Sequence, residues 1–285
     1  MNGDDEKIRI LREWIAKQPH LPQKSDENLV RRFLKCCNDS IERSKQLIDL
    51  YYTLRSHVPE VYSNRDPTAP EIQRIFENIQ FLPLPKFTKD NHQLFVYRIL
   101  TSDIEHYDFV NSVKAFSMVA DVRMVEETAI ADGEVPIFDM KNFTAKHITK
   151  VVFPVMKKLL IYSQEAHPMK LKEVHYVNAP PFLNKFLSIL KPIIKSDVLQ
   201  MIHFHPPNSE TLFEHVPKEL LPEEYGGTIG KCDDIANRWQ RLVLQRKDYL
   251  TDDGYWKVEE IKRSANEGNP DYLGIQGSFK TISID

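Results

Sequence analysis

His203 and His205 stand one residue apart and are the most chemically suggestive pair in the chain. On a strand, that spacing puts both imidazoles on one face, and imidazole nitrogens bind zinc-class metals. Glu210 and His215 follow nearby. Two ligands without a clear third make a poor site, so the expectation is structural histidines at a strand end and no metal. The three cysteines, adjacent Cys36 and Cys37 and distant Cys232, lack zinc-ligand spacing and cannot build a disulfide framework. That usage fits a reducing compartment. The nine glycines form one cluster, Gly226, Gly227 and Gly230 before Lys231. It follows Pro222 rather than a strand and has the spacing of neither a phosphate loop nor a dinucleotide fingerprint, so it reads as a turn. No Gly-x-Ser-x-Gly elbow and no His-Glu-x-x-His motif occurs. Hydrolase, metalloprotease and P-loop kinase chemistry thus lack their signatures, and the expectation is a protein that is not an enzyme.

Composition narrows the classes further. With 38 basic and 41 acidic residues in 285, the net charge is -3, and a phosphate-backbone binder needs a strong positive field. No nucleic-acid partner is expected. The length accommodates one large domain with a helical appendage, or two modest domains. The start, Met1-Asn2-Gly3-Asp4-Asp5-Glu6, is acidic where a secretory signal would be basic and then apolar. Lys157, Lys158, Lys185, Lys191 and Lys195 interrupt the apolar regions before they reach membrane-spanning length. A cytoplasmic protein with at most peripheral membrane contact follows.

The elements that must carry any site change character along the chain. Ile8, Leu11 and Ile15, then Leu29 and Phe33, then Ile41, Ile48 and Tyr52 recur at helical spacing, the last set after a Ser40 cap. Pro19, Pro22 and Asn38-Asp39 separate three short helices that end near Pro59 to Pro70. Short β-branched and aromatic runs then occur at 94–100, 135–139, 174–177 and 200–204. Helical patterns at 108–130 and 150–165 separate the first three, which predicts a mainly parallel sheet with crossover helices. In the second pattern Val151, Val155, Leu159 and Tyr162 form one stripe and Val152, Met156 and Leu160 another. The sheet would cover one stripe; core, a neighbouring helix or a ligand would cover the other.

Segment 180–201 is the least ordinary. Pro180-Pro181 opens it and Pro192 interrupts it, among Phe182, Leu183, Phe186, Leu187, Ile189, Leu190, Ile193, Ile194 and Val198. Between Met169 and Ser196 stand Lys170, Lys172, Lys185, Lys191 and Lys195 against one acid, Glu173. A basic, apolar, proline-bounded helix on an acidic protein fits a membrane-interface element, and it fits equally a core helix with a solvated lysine edge.

The order and spacing of six motifs resemble the CRAL-TRIO family, in particular its tocopherol-transfer and retinaldehyde-binding branch. They are Leu29-Val30-Arg31-Arg32-Phe33-Leu34, Ile137-Phe138-Asp139, His175-Tyr176-Val177-Asn178-Ala179-Pro180, Leu190-Lys191-Pro192, Ile202-His203-Phe204-His205 and Leu221-Pro222-Glu223-Glu224-Tyr225-Gly226-Gly227. The resemblance implies an α/β lipid-binding domain whose mainly parallel sheet floors an apolar pocket, preceded by an all-α domain. The divisions it implies are a helical domain at 1–70, the lipid-binding domain at 71–230, and a C-terminal helix and irregular tail at 231–285. It also tips the 182–198 segment toward the reading of a gate.

Carried over position by position, the resemblance implies a wall of Val113, Phe116, Ala120, Phe138, Val151, Val155, Leu159, Tyr162, Ser163, His167, Met169, Leu171 and Val174. Phe182, Leu183, Phe186, Leu187, Leu190 and Ile194 would form the gate. No cofactor is implied beyond one bound hydrophobic ligand. Phe116 and Phe138 replace a Tyr and a Glu of retinoid carriers, while Phe116 and Ala120 replace two serines of tocopherol carriers. The wall is therefore more apolar on that side, with Tyr162, Ser163 and His167 as its polar handles. The expected cargo is a lipophile of little polarity, such as tocopherol, a carotenoid or a related isoprenoid, anchored near Tyr162.

Lys170 and Lys172 match two positions of the family's phosphoinositide-headgroup patch. Asp197, Met201 and Cys37 depart from it, so weak headgroup selectivity is expected. Residual attraction to anionic membranes would come from Lys170, Lys172, Lys185, Lys191 and Lys195, at about 1 kcal/mol per surface lysine. The rival readings are a phosphatidylinositol exchanger, a lipid-sensing interaction module and a metal-dependent enzyme at the histidines. Ile235, Trp239 and Leu242 predict a C-terminal helix that packs back on the domain, and 264–285 reads as an irregular tail.

Overall fold

The computed structural model describes residues 3–263; the tail expected over 264–285 lies outside them. Four helices open the chain: α1 (Gly3–Lys17), α2 (Glu27–Cys36), α3 (Ile41–Ser56) and the single turn α4 (Pro59–Tyr62). The starts of α2 and α3 have a local cause. The Asp26 carboxylate accepts from the amides of Asn28 and Leu29 at 2.8 and 3.2 Å, and the Ser40 hydroxyl accepts from Arg43 N at 3.4 Å. Asn38 and Asp39 take left-handed backbone, φ 51° and 60°, which ends α2 and turns the chain into α3. Ile8, Leu11, Ile15, Leu29, Phe33, Ile48 and Tyr51 fill the bundle, and the same core runs on into Met124, Val125 and Tyr162 from further along the chain.

Helix α5 (Pro70–Asn78) leads into an antiparallel hairpin of β1 (Ile79–Phe87) and β2 (His92–Ile99). There follow α6 (Phe109–Glu126), β3 (Gly133–Asp139), α7 (Ala145–Ile148), α8 (Phe153–Glu165) and β4 (Val174–Val177). Then come α9 (Leu183–Leu190), α10 (Ser196–Gln200), β5 (Ile202–His205) and α11 (Cys232–Gln245). The five strands lie in the order β1-β2-β3-β4-β5, with β2 to β5 mutually parallel. The predicted parallel sheet is thus present, with one added strand. β1 carries Pro83 and Pro85, which cannot donate to a ladder, and it occupies an edge, where that loss is tolerated.

Alternation gives the sheet two distinct faces. Leu94, Val96, Val135, Ile137 and Val177 pack on one side against Leu212, Val216, Leu221 and the α11 residues Ile235 and Ala236. Helix α11 also caps the hairpin edge, where Trp239 donates its indole N–H to the Pro83 carbonyl at 3.0 Å. The Gly226-Gly227 turn closes this side: Gly226 has φ 76°, and a Cβ at Gly227 would sit 1.8 Å from the Leu221 carbonyl oxygen.

Helix α8 divides its two stripes between different partners. Val151, Val155 and Leu159 pack against Val58 and Val61 beside α6 residues Phe109 and Val113. In the second stripe, Met156 and Leu160 join the cluster built around α9, whereas Val152 is exposed.

Candidate functional site

The other face of the sheet carries a row of aromatic rings, at least one from each strand. Registry places Phe81 beside Tyr97, Tyr97 beside Phe138, Phe138 beside Tyr176, and Tyr176 beside Phe204. Their ring centroids are 5.4, 5.8, 5.1 and 5.5 Å apart along that series, the last two pairs stacked. Strand alternation makes this possible, since residues two apart share a face and directly opposed residues touch. Each such pair contributes about 0.5–1.5 kcal/mol beyond area burial. Phe116 of α6 extends the floor, its ring 6.0 Å from Phe81 and 5.2 Å from Phe95. Burial pushes the Tyr176 phenol up to about 12, so it is neutral at physiological pH.

Helix α9 covers the floor. Leu183, Phe186, Leu187 and Leu190 fall at helical spacing on one face and are buried with Ile194 and Met140 against Phe138, Tyr176, Val151, Met156 and Leu160. Phe182, just before the helix, brings its ring to 6.3 Å from Phe143. The opposite face is solvated, with Lys185 exposed and Ile189 59 % exposed, and Lys191 and Lys195 are exposed in the turn that follows. Beside it, Val152 and Phe153 at the start of α8 are also exposed, and the Phe153 ring lies 6.2 Å from that of Phe186.

Polar side chains fix both ends of this excursion between β4 and β5. At its start Asn178 adopts φ 53° and donates through Nδ2 to Asp139 Oδ1 at 2.8 Å, while the Tyr225 hydroxyl donates to Asp139 Oδ2 at 2.8 Å. Past α9, Gln164 accepts from Lys195 N at 2.7 Å and donates to the Ile193 carbonyl at 3.2 Å. Sequence reasoning missed Phe81, Tyr97, Tyr176, Phe204 and Gln164 as site residues. One signal for the rings was present: an aromatic at alternating positions of each short strand. Nothing local marks Gln164.

The expected wall divides. Phe138 and Val151 meet the gate cluster; Val113, Val155 and Leu159 form the adjoining cluster under α4; Phe116 belongs to the floor. Ala120 and Val174 are buried. The three polar handles do not converge there. Tyr162 packs into the helical bundle, where Arg55 Nη1 donates to its hydroxyl at 3.4 Å, because its position on α8 faces α3. Ser163 points to solvent and donates to the Leu160 carbonyl at 3.0 Å. His167 Nε2 lies 3.3 Å from Glu134 Oε2. Burial, reinforced by Arg123, pushes that imidazole down to about 3. Met169 and Leu171 stand in the connection from α8 to β4, where Leu171 bridges to Glu134 through the backbone.

The five lysines also divide. Lys170 donates to Asn38 Oδ1 at 2.6 Å at the end of α2, and Lys172 lies over Gly133, where a Cβ would meet its Cγ at 2.4 Å. Lys185, Lys191 and Lys195 belong to the gate, with Lys195 Nζ 2.8 Å from Glu165 Oε1.

Among the described residues, no helix is long and apolar enough to cross a membrane. Residues 2–72 match the family described as Pinta-like, UBA domain, and residues 78–227 match the CRAL/TRIO domain. The chain is 24 % identical over 242 residues to the human alpha-tocopherol transfer protein-like protein, covering 85 % of this chain and 70 % of that one. It is 22 % identical over 262 residues to rat clavesin-2, covering 91 % of this chain and 79 % of that one. The solved structure of Sfh5 superposes with a TM-score of 0.51 at 14 % identity, covering 87 % of this chain and 98 % of that one. By the match over 78–227 and the sheet that it spans, this chain belongs to the CRAL/TRIO domain family.

Proposed function

We propose that this protein is a carrier, not a catalyst, that holds one hydrophobic molecule between the aromatic floor and α9 and exchanges it at membranes from the cytoplasmic side. One observation carries the reading. The element covering the floor is a short helix that buries four apolar side chains against rings and exposes Lys185 and Ile189 on its back, with Lys191 and Lys195 exposed just beyond its end. Its displacement breaks side-chain packing but none of the backbone ladder. Each methylene of cargo replacing that packing contributes about 0.8 kcal/mol. The exposed apolar residues Val152, Phe153 and Ile189, rimmed by Lys185, Lys191 and Lys195, suit insertion at an anionic lipid surface.

The residues in contact with cargo are then Phe138, Val151, Leu183, Phe186, Leu187 and Leu190, flanked by Val113, Val155, Leu159 and Ile194. A cargo of little polarity, an isoprenoid such as tocopherol or a carotenoid, suits this lining, in keeping with the name of the alpha-tocopherol transfer protein-like relative. With Tyr162 committed to Arg55, the hydroxyl at hand for a polar end is that of Tyr176 on the floor. Phospholipid exchange fits the same architecture, and one experiment separates the two. Protein purified from its natural source and its Phe186→Asp variant would be extracted and the extracts weighed by mass spectrometry. One stoichiometric isoprenoid, lost from the variant, supports the proposal; stoichiometric phospholipid assigns exchange instead; repeated recovery of neither sinks the carrier.

A further inference from the structure

The face of β4 and β5 turned away from the aromatic floor carries a cluster of histidines. Registry sets His175 opposite His203 and Val177 opposite His205. His215, from the loop after β5, brings its ring to 4.4 Å from that of His203. Glu173, the residue before β4, completes the group: its Oε1 lies 3.3 Å from His215 Nδ1 and 3.9 Å from His203 Nε2. Glu210, the acid suggested by sequence proximity, is not part of it. We propose that Glu173, His203 and His215 form a binding site for one divalent transition ion of the zinc class.

The donor set is right for such an ion. Two imidazoles and one carboxylate leave a fourth tetrahedral position for water, and the hard cations magnesium and calcium prefer oxygen alone. The three ligand atoms lie within 4.8 Å of one another. An ion about 2.0–2.1 Å from each ligand requires them to stand roughly 3.3 Å apart, so small side-chain rotations suffice.

What sets this cluster apart from chance proximity is the chain of hydrogen bonds behind it. Glu173 Oε2 lies 3.1 Å from His175 Nε2, His175 Nδ1 lies 3.0 Å from His205 Nε2, and His205 Nδ1 lies 2.8 Å from the Thr211 hydroxyl. A neutral imidazole donates through one nitrogen and accepts at the other, and the Glu173 carboxylate only accepts. The proton positions are then fixed. Thr211 donates to His205, His205 to His175, and His175 to the Glu173 carboxylate, whose other oxygen is left to face His203 and His215. Outer partners of this kind hold a carboxylate ligand in orientation.

The location ties the ion to the gate. Residues 173 and 203 sit at the bases of the two strands between which α9 and α10 are looped out, and His215 adds the following segment. An ion there ties the base of β4 to the base of β5, where the gate-bearing excursion returns, and to the segment after β5, from the face opposite the cargo.

The test is titration of chelator-stripped full-length protein with Zn2+ by calorimetry, and with Co2+ by visible absorption, in a Cys36→Ser/Cys37→Ser background that removes competing thiols. The expected result is one saturable equivalent. His215→Ala, an exposed loop position, should weaken it by more than the 10–100-fold that loss of an outer partner typically costs, and His175→Phe by about 10–100-fold, with circular dichroism unchanged. Absence of saturable binding overturns the proposal, as does one-equivalent binding that His215→Ala leaves intact.

Discussion

Replacing Asp121 with asparagine should cost about 3–5 kcal/mol of stability, a large part of what holds a domain folded. Asp121 lies on α6 with its side chain 2 % exposed, and it is the one carboxylate shared by Arg55 of α3 and by Arg65. Arg55 grips it with two bonds, Nη1 to Oδ1 at 2.9 Å and Nη2 to Oδ2 at 2.5 Å; Arg65 Nη1 donates to Oδ2 and the Tyr51 hydroxyl to Oδ1 at 3.3 Å. Burial by itself would raise the Asp121 carboxyl, and Arg55 and Arg65 outweigh it and hold the group below the usual carboxylate range. The asparagine keeps the shape, removes the charge, and turns an N–H2 toward a guanidinium. Two buried cations then remain, and Arg65 already has Nε and Nη2 without protein partners. Stacking of Arg55 on Tyr62 at 4.0 Å and of Arg65 on Trp256 at 4.2 Å offsets part of the loss. Urea unfolding followed by both fluorescence and far-ultraviolet dichroism reads the change. The triple variant Arg55→Met/Arg65→Met/Asp121→Leu should recover most of it, because removing every charge leaves none unpaired. A loss below about 1 kcal/mol for Asp121→Asn would refute the reasoning that this triad joins the helical domain to the sheet domain.

Two further outcomes follow from the placement of side chains expected to serve the cargo. Tyr162→Phe should lower stability by about 1 kcal/mol, the worth of one hydrogen bond, and leave the affinity of any extracted lipophile unchanged; a tenfold loss of affinity would return Tyr162 to the site. His167 is neutral in the folded protein with a pKa of about 3, against about 6.5 when unfolded. Between those values the unfolded chain binds the extra proton, so stability is full above pH 6.5 and falls on acidification by up to about 1.4 kcal/mol per pH unit. Urea midpoints at pH 7, 6 and 5 should therefore decline less steeply in His167→Gln than in wild type, and parallel declines would show that His167 is not the group responsible.

The sequence alone determined everything that repeats locally. Helical spacing marked α2, α3, α6 and α8, the Ser40 cap marked the start of α3, and short aromatic runs marked β2 to β5, because periodicity reports which face of an element is buried before its partner is known. The apolar face of the gate was equally legible, since Leu183, Phe186, Leu187 and Leu190 need only a helix to align. Strand β1 was not legible, because its two prolines read as breakers until the hairpin places them on an edge. Tertiary structure decided the rest. It turned Tyr162 toward Arg55, set α8 against α4 and α6, and divided the lysines between the end of α2 and the gate. It brought Glu173 to His203 and His215, residues 30 and 42 positions away in the chain. Spacing in one dimension fixes which residues share a face; which faces meet depends on strand order and helix placement, and those are set by the whole core at once.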